Sequence, residues 1–77
     1  MEIEIISFGK ISEFIKNQKI EITGISNTDE LKAYLEARFP ALNNVKYKLS
    51  LNRNIIQKST AITANDEVAI MPPFSGG

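Results

Sequence analysis

Three times along this chain of 77 residues, apolar and polar side chains alternate with a period of two. Ile3 and Ile5 alternate with Glu2 and Glu4, Ile20 and Ile22 with Lys19, Glu21 and Thr23, and Val45, Tyr47, Leu49 and Leu51 with Lys46, Lys48 and Ser50. Successive side chains of a strand point to opposite faces, so each run reads as a strand with one buried face. The first alternation then gives way to Ile6 and Phe8, which strand geometry puts on the face of Glu2 and Glu4, away from the core, before Gly9 ends the run. Glu67-Val68-Ala69-Ile70-Met71 reads as a last strand, with Val68 and Ile70 on one face and Ala69 and Met71 on the other. Asn52-Arg53-Asn54 and Asn65-Asp66 have turn chemistry, because Asn tolerates left-handed backbone angles, and Ile55-Ile56 resumes a short strand after the first of them.

Two stretches break this period. Ile11, Phe14 and Ile15 stand at i, i+3 and i+4, which predicts a short helix from about Lys10 to Asn17. The longer helix opens with Asn27 or Thr28 as cap, carries Asp29 and Glu30 in its first turn and Arg38 near its end, and repeats Leu31, Leu35 and Phe39 at i, i+4 and i+8 with Tyr34 on the flank. The charges suit the helix dipole, and Pro40 stops the helix because the residue before proline disfavours helical angles. The order is strand, short helix, strand, long helix, strand, strand, strand. That is an α+β architecture: four to five short strands in one sheet with the helices on one face. The predicted core is Ile3, Ile5, Ile20, Ile22, Leu31, Leu35, Phe39, Leu49, Leu51, Val68 and Ile70, within a domain of residues 1–71.

Composition narrows the function. The chain has no Cys and no His, which removes disulfides, thiol nucleophiles, imidazole bases and metal sites of the Cys/His kind. Ser7 and Ser75 therefore have no triad partner. Glu2/Glu4 read as a solvated strand face, and Asp29/Glu30 as a helix start. Gly9 and Gly24 stand alone, without a phosphate-cradling loop. Nine basic residues balance nine acidic ones, without the surplus that a nucleic-acid binder or a polybasic membrane protein needs. No apolar run approaches the ~20 residues of a membrane span. Met1-Glu2-Ile3-Glu4 carries no basic residue of the kind a secretory signal needs, so the expected compartment is the cytoplasm.

The end of the chain differs in kind. Pro72-Pro73-Phe74-Ser75-Gly76-Gly77 cannot continue a central strand, because two prolines remove two ladder donors. It is expected to leave the sheet as an extended tail reaching at most ~20 Å. A chain end without Cβ atoms can thread a narrow channel in another protein's active site, and its α-carboxylate is ionised at neutral pH. A carboxylate is a poor electrophile until it becomes a mixed anhydride such as an acyl-adenylate. With no nucleotide loop here, a partner must perform that activation. The chain thus reads as a carrier whose functional group is its own C-terminus.

Asp66-Glu67-Val68-Ala69-Ile70-Met71-Pro72-Pro73-Phe74-Ser75-Gly76-Gly77 closely resembles the end of the small subunits of molybdopterin synthase, a ubiquitin-like sulfur-carrier family. The pattern of the opening strand, the Ile11-to-Ile15 helix, the helix from Asp29 and the Leu51-Asn52 entry to a hairpin extends the resemblance over the whole chain. It implies the ubiquitin-like β-grasp, a mixed sheet with one long and one short helix. It also implies that a ubiquitin-activating-type adenylating enzyme uses ATP and magnesium to activate Gly77, that sulfur then replaces an oxygen to give a thiocarboxylate, and that this chain binds no cofactor itself. The tail, Pro72 to Gly76, would enter the active site of the large synthase subunit. Gly77 would there donate sulfur to cyclic pyranopterin monophosphate, in a heterotetramer of two small and two large subunits. In that family, positions matching Phe8, Ile55 and Met71 form an apolar patch that docks both partners, so the resemblance implies the same role here. Phe74 stands where Val is more usual.

Two other readings share the tail chemistry. A thiamine-type sulfur carrier has the same fold and a Gly-Gly end but generally lacks Pro-Pro and is shorter. A ubiquitin-like modifier would be joined to lysines through Gly77.

Overall fold

A computed structural model describes residues 1–73. Five strands form one sheet: β1 (Glu2–Ser7), β2 (Gln18–Glu21), β3 (Lys48–Leu51), β4 (Asn54–Ile55) and β5 (Glu67–Met71), with one α-helix, α1 (Thr28–Arg38). The strand order is β2-β1-β5-β3-β4. β1 pairs antiparallel with β2 and parallel with β5, while β3 is antiparallel to both β5 and β4, so the sheet is mixed. The first and last strands are therefore central neighbours, and everything between them is the crossover that a parallel pair requires.

Period two decides which side chains meet. Ile3, Ile5, Ile20, Ile22, Leu49, Leu51, Val68 and Ile70 are buried together with Leu31 and Leu35 of α1. Each is worth ~1.5–3 kcal/mol relative to exposure. Ile11, Ile15, Leu42 and Ile62 complete the cluster, and Phe39 packs only partly against it. Ile62 lies in a stretch without helix or strand, but its N–H donates to the Ser26 carbonyl at 3.0 Å. Beside it, Thr60 N–H donates to Thr28 Oγ1 at 2.9 Å, so the incoming loop is tied to the start of α1.

α1 begins as its sequence predicts. Asn27 is the cap, its Oδ1 accepting from Glu30 N–H at 2.9 Å. The Glu30 carboxylate reaches back to Ser26, accepting from its backbone N–H at 2.8 Å and from its hydroxyl at 3.0 Å. Asn27 thereby satisfies one of the N–H groups that helix geometry leaves orphaned, Glu30 ties down the residue before the cap, and the Ser26 N–H holds the Glu30 carboxyl below its ordinary value. The helix ends at Arg38, and Pro40 opens a 3-10 turn, Pro40–Asn44.

Three local expectations are corrected. The segment read as a helix from Lys10 to Asn17 is a 3-10 turn, Gly9–Glu13. Only Ile11 and Ile15 are buried, and Phe14 is exposed. The turn is entered through Gly9 at φ +59°, and its five residues are too few for a stable α-helical repeat. Val45 is exposed rather than inward, because β3 starts only at Lys48. The short strand read at Ile55-Ile56 is shifted by one residue, to Asn54–Ile55. No helix among the described residues is long and apolar enough to cross a membrane.

Candidate functional site

The outward face of the sheet is built by register. Ile6 pairs with Ala69, Ala69 with Ser50, and Ser50 with Ile55, a single row across β1, β5, β3 and β4. The middle of the row is small, so Ala69 and Ser50 are buried at its floor. Phe8 and Ile55 stand out at 50% and 48% exposure, and Met71 is half-buried. Together Ile6, Phe8, Ile55, Ala69 and Met71 line a shallow hollow of about 510 Å³ whose lining is completed by Ser50, Arg53 and Glu67. Scattered exposed apolar residues are ordinary, whereas several gathered in one concavity are the kind of patch at which proteins bind one another. The structure thus brings Phe8, Ile55 and Met71 into one hollow. It adds Ile6 and Ala69, which alternation alone had put on this face, and Ser50, which no apolar pattern could flag.

Two devices hold the hollow's sides in register. The β3–β4 hairpin carries Ile55 and turns through Asn52 and Arg53 at φ 50° and 73°, the pair of positive angles that a two-residue type I′ turn needs. Asn52 then clamps this hairpin to β5: its Oδ1 accepts from Glu67 N–H at 2.9 Å, and its Nδ2 donates to Asp66 Oδ1 at 3.0 Å. Asp66 also accepts from Thr63, at 2.8 Å from the backbone N–H and 3.0 Å from the hydroxyl. Partial burial pushes the Asp66 carboxyl up, but the hydrogen bonds from Asn52 and Thr63 outweigh it and leave the carboxyl below its ordinary value.

On the other side, Phe8 N–H donates to the Ile70 carbonyl at 3.1 Å, extending the β1–β5 pairing to the foot of the tail. Inside the sheet, Ser7 is buried but satisfied, its hydroxyl donating to the Ile15 carbonyl and its N–H to Asn17 Oδ1 at 2.9 Å. The chain therefore reaches Pro72 and Pro73 at the end of a central strand, beside the hollow. Phe74, Ser75, Gly76 and Gly77, singled out from the sequence, lie outside the described residues. Among the described residues, no group of three or more His, Cys, Asp or Glu side chains could hold a metal ion.

Comparison with known proteins bears on the family and the fold. Residues 5–77 match the model of the ThiS family. The chain is 35% identical to the molybdopterin synthase sulfur carrier subunit of Chlamydomonas reinhardtii, over the whole of both chains. Its fold is similar to that of SAMP1 from Haloferax volcanii (TM-score 0.77, 21% identity, all of both chains). It is also similar to a chain in the complex of subunits 1 and 2 of molybdopterin-converting factor from Helicobacter pylori (TM-score 0.73, 26% identity, all of both chains). The fold is the ubiquitin-like β-grasp, and the chain belongs to the ThiS family.

Proposed function

We propose that this chain is the sulfur-carrier subunit of a molybdopterin synthase, working through its terminal carboxylate. The observation that carries the reading is the full-length match to a relative of that name. The placement of the tail's root supports it: β5 delivers Pro72-Pro73 beside the apolar hollow, so a protein covering the hollow lies where the tail emerges.

The proposed chemistry is acyl activation in two steps. A ubiquitin-activating-type enzyme, using ATP and magnesium, joins the Gly77 carboxylate to AMP and releases pyrophosphate. Hydrosulfide attacks the activated carbonyl, AMP leaves, and loss of the thiol proton makes Gly77 a thiocarboxylate. The tail, Pro72 through Gly76, then carries this group into the large subunit, where sulfur passes to cyclic pyranopterin monophosphate and water restores the carboxylate. Phe8, Ile55 and Met71 act in docking. On this reading the chain binds no cofactor, works in the cytoplasm and assembles as two small and two large subunits. The reading is favoured over a thiamine-type carrier by the name of the full-length relative.

The test is molybdopterin formation from the precursor with ATP, a sulfur donor, the adenylating enzyme and the large subunit. Intact mass should show one carboxylate oxygen of the chain exchanged for sulfur. Product that forms equally well without the chain overturns the proposal. Covalent attachment of the chain to protein lysines, with no molybdopterin formed, points instead to the modifier reading.

A further inference from the structure

The chain is neutral overall, but its charge is segregated. Residues 37–65 carry five of the nine basic side chains, Arg38, Lys46, Lys48, Arg53 and Lys58, and none of the nine acidic ones. The fold gathers part of this surplus along a groove of about 620 Å³ between α1 and the β3–β4 hairpin. Lys32 comes to it from α1, Lys48 from β3 and Lys58 from the segment after β4, with Ile55 and Ile56 among its apolar walls. Asp29 is the one acidic side chain in the lining. Glu36, on the same helix, is engaged by the Tyr47 hydroxyl, and Lys32 Nζ lies 5.5 Å from the centre of the Tyr47 ring. Among the described residues the ion pairs are Met1–Glu21 and Arg53–Glu67, so none of Lys32, Lys48 and Lys58 is in one.

The groove also joins the hollow. Ile55 lines both, and Lys48 is the register partner of Met71. A protein seated on the hollow therefore has basic ground directly beside it. We infer that the groove receives an extended acidic segment of the protein partner that covers the hollow. Bases from three separate elements along an apolar floor suit a chain lying lengthwise rather than a compact anion, which needs convergent donors. Such charges raise association rate and select the partner more than they add affinity. Only the identity of that partner, the large synthase subunit, rests on the carrier reading.

The experiment compares two triple variants with the same change in net charge: Lys32→Gln/Lys48→Gln/Lys58→Gln in the groove, and Lys10→Gln/Lys16→Gln/Lys19→Gln away from it. An acetylated hexaglutamate peptide is titrated into isotopically labelled full-length protein at low salt and followed by amide chemical shifts. The expected result is perturbation centred on Lys32, Lys48 and Lys58, with binding about tenfold weaker in the groove variant and nearly unchanged in the distal one. If the groove triple does not fold, Lys48→Gln/Lys58→Gln, which spares the Lys32–Tyr47 contact, must show a smaller loss in the same direction. Equal losses in the two triples, shifts spread over all lysines, or the same shifts with inorganic phosphate at equal concentration overturn the inference. The purified large subunit is then titrated in the same way, and its affinity should be less salt-dependent for the groove variant. A large subunit that fails to bind the wild-type chain refutes the carrier reading, while the peptide titration still decides the groove.

Discussion

The ring of Pro72 packs onto the bare α-carbon of Gly9: a methyl group there would lie 3.0 Å from Pro72 Cγ and 3.5 Å from Cδ. Gly9 sits at φ +59°, where an L side chain costs ~1–2 kcal/mol. The turn after β1 and the first residue of the tail thus fix one another. Gly9→Ala should destabilise the fold by about 2 kcal/mol, one part from backbone strain and one from the ring contact. Pro72→Ala removes the ring and should relieve the second part alone. Urea unfolding of both single variants and the double variant measures the coupling. Strictly additive losses would show that the two residues do not constrain each other.

If the outer-face hollow is the docking surface proposed above, substitutions in it should weaken binding while sparing the fold. Phe8 and Ile55 are each about half exposed, so Phe8→Asp and Ile55→Asp should shift stability by only ~0.5 kcal/mol. As anchors in a covered hollow they should each cost ~2 kcal/mol or more of binding to the large subunit and to the adenylating enzyme. Calorimetric titration against both partners, beside melting temperature, checks this. Unchanged affinity for both removes these residues from the site.

How far such positions can be read from sequence depends on what fixes each one. Parity alone put Ile3 and Ile5 inward and Ile6 and Phe8 outward, because a central strand has a rigid two-residue period. The same parity failed at Val45, since alternation continues past the point where β3 stops pairing, and pairing is set by β5 rather than by local pattern. Ile11, Phe14 and Ile15 fit a helical face, but the 3-10 turn ends at Glu13 and buries only Ile11, while the chain beyond it buries Ile15 and leaves Phe14 exposed. Ile62 and Leu42 lie in segments with no period at all, and only the tertiary fold brings them to the core. In the site, Phe8 and Met71 were legible as outward-facing. Placing Ile55 beside them needs the hairpin register, and recognising Ser50 as the floor needs the cross-sheet row.

Asp66 predicts an acid-dependent loosening of the hairpin clamp. Its carboxyl lies below its ordinary value in the fold, so the native state binds fewer protons there than the unfolded chain. The stabilisation is present above the unfolded value of about 3.9 and is lost as pH falls through the folded one. Asp66→Ala should cost about 1–2 kcal/mol at neutral pH and much less at acid pH, where the wild-type carboxyl is itself protonated. Denaturant midpoints of both proteins at the two pH values decide it. A gap that stays constant with pH would mean that the charge on Asp66 does nothing for the clamp.

Deleting Gly77 should abolish sulfur transfer and leave the fold unchanged. Gly77 has no side chain to contribute to a core, so the melting temperature should stay that of the wild type. The loss is geometric. A chain ending at Gly76 still carries a carboxylate, but its reactive carbon is withdrawn by ~3.3 Å, more than an in-line attack on a nucleotide phosphate tolerates. The deletion therefore separates position from functional group. Gly77→Val restores the length but adds a branched Cβ, which should obstruct a channel shaped for glycine and also impair transfer. Adenylate formation, thiocarboxylate by intact mass and molybdopterin yield should fall together in the deletion. Normal product from the shortened chain would show that the C-terminus is not where the sulfur is carried.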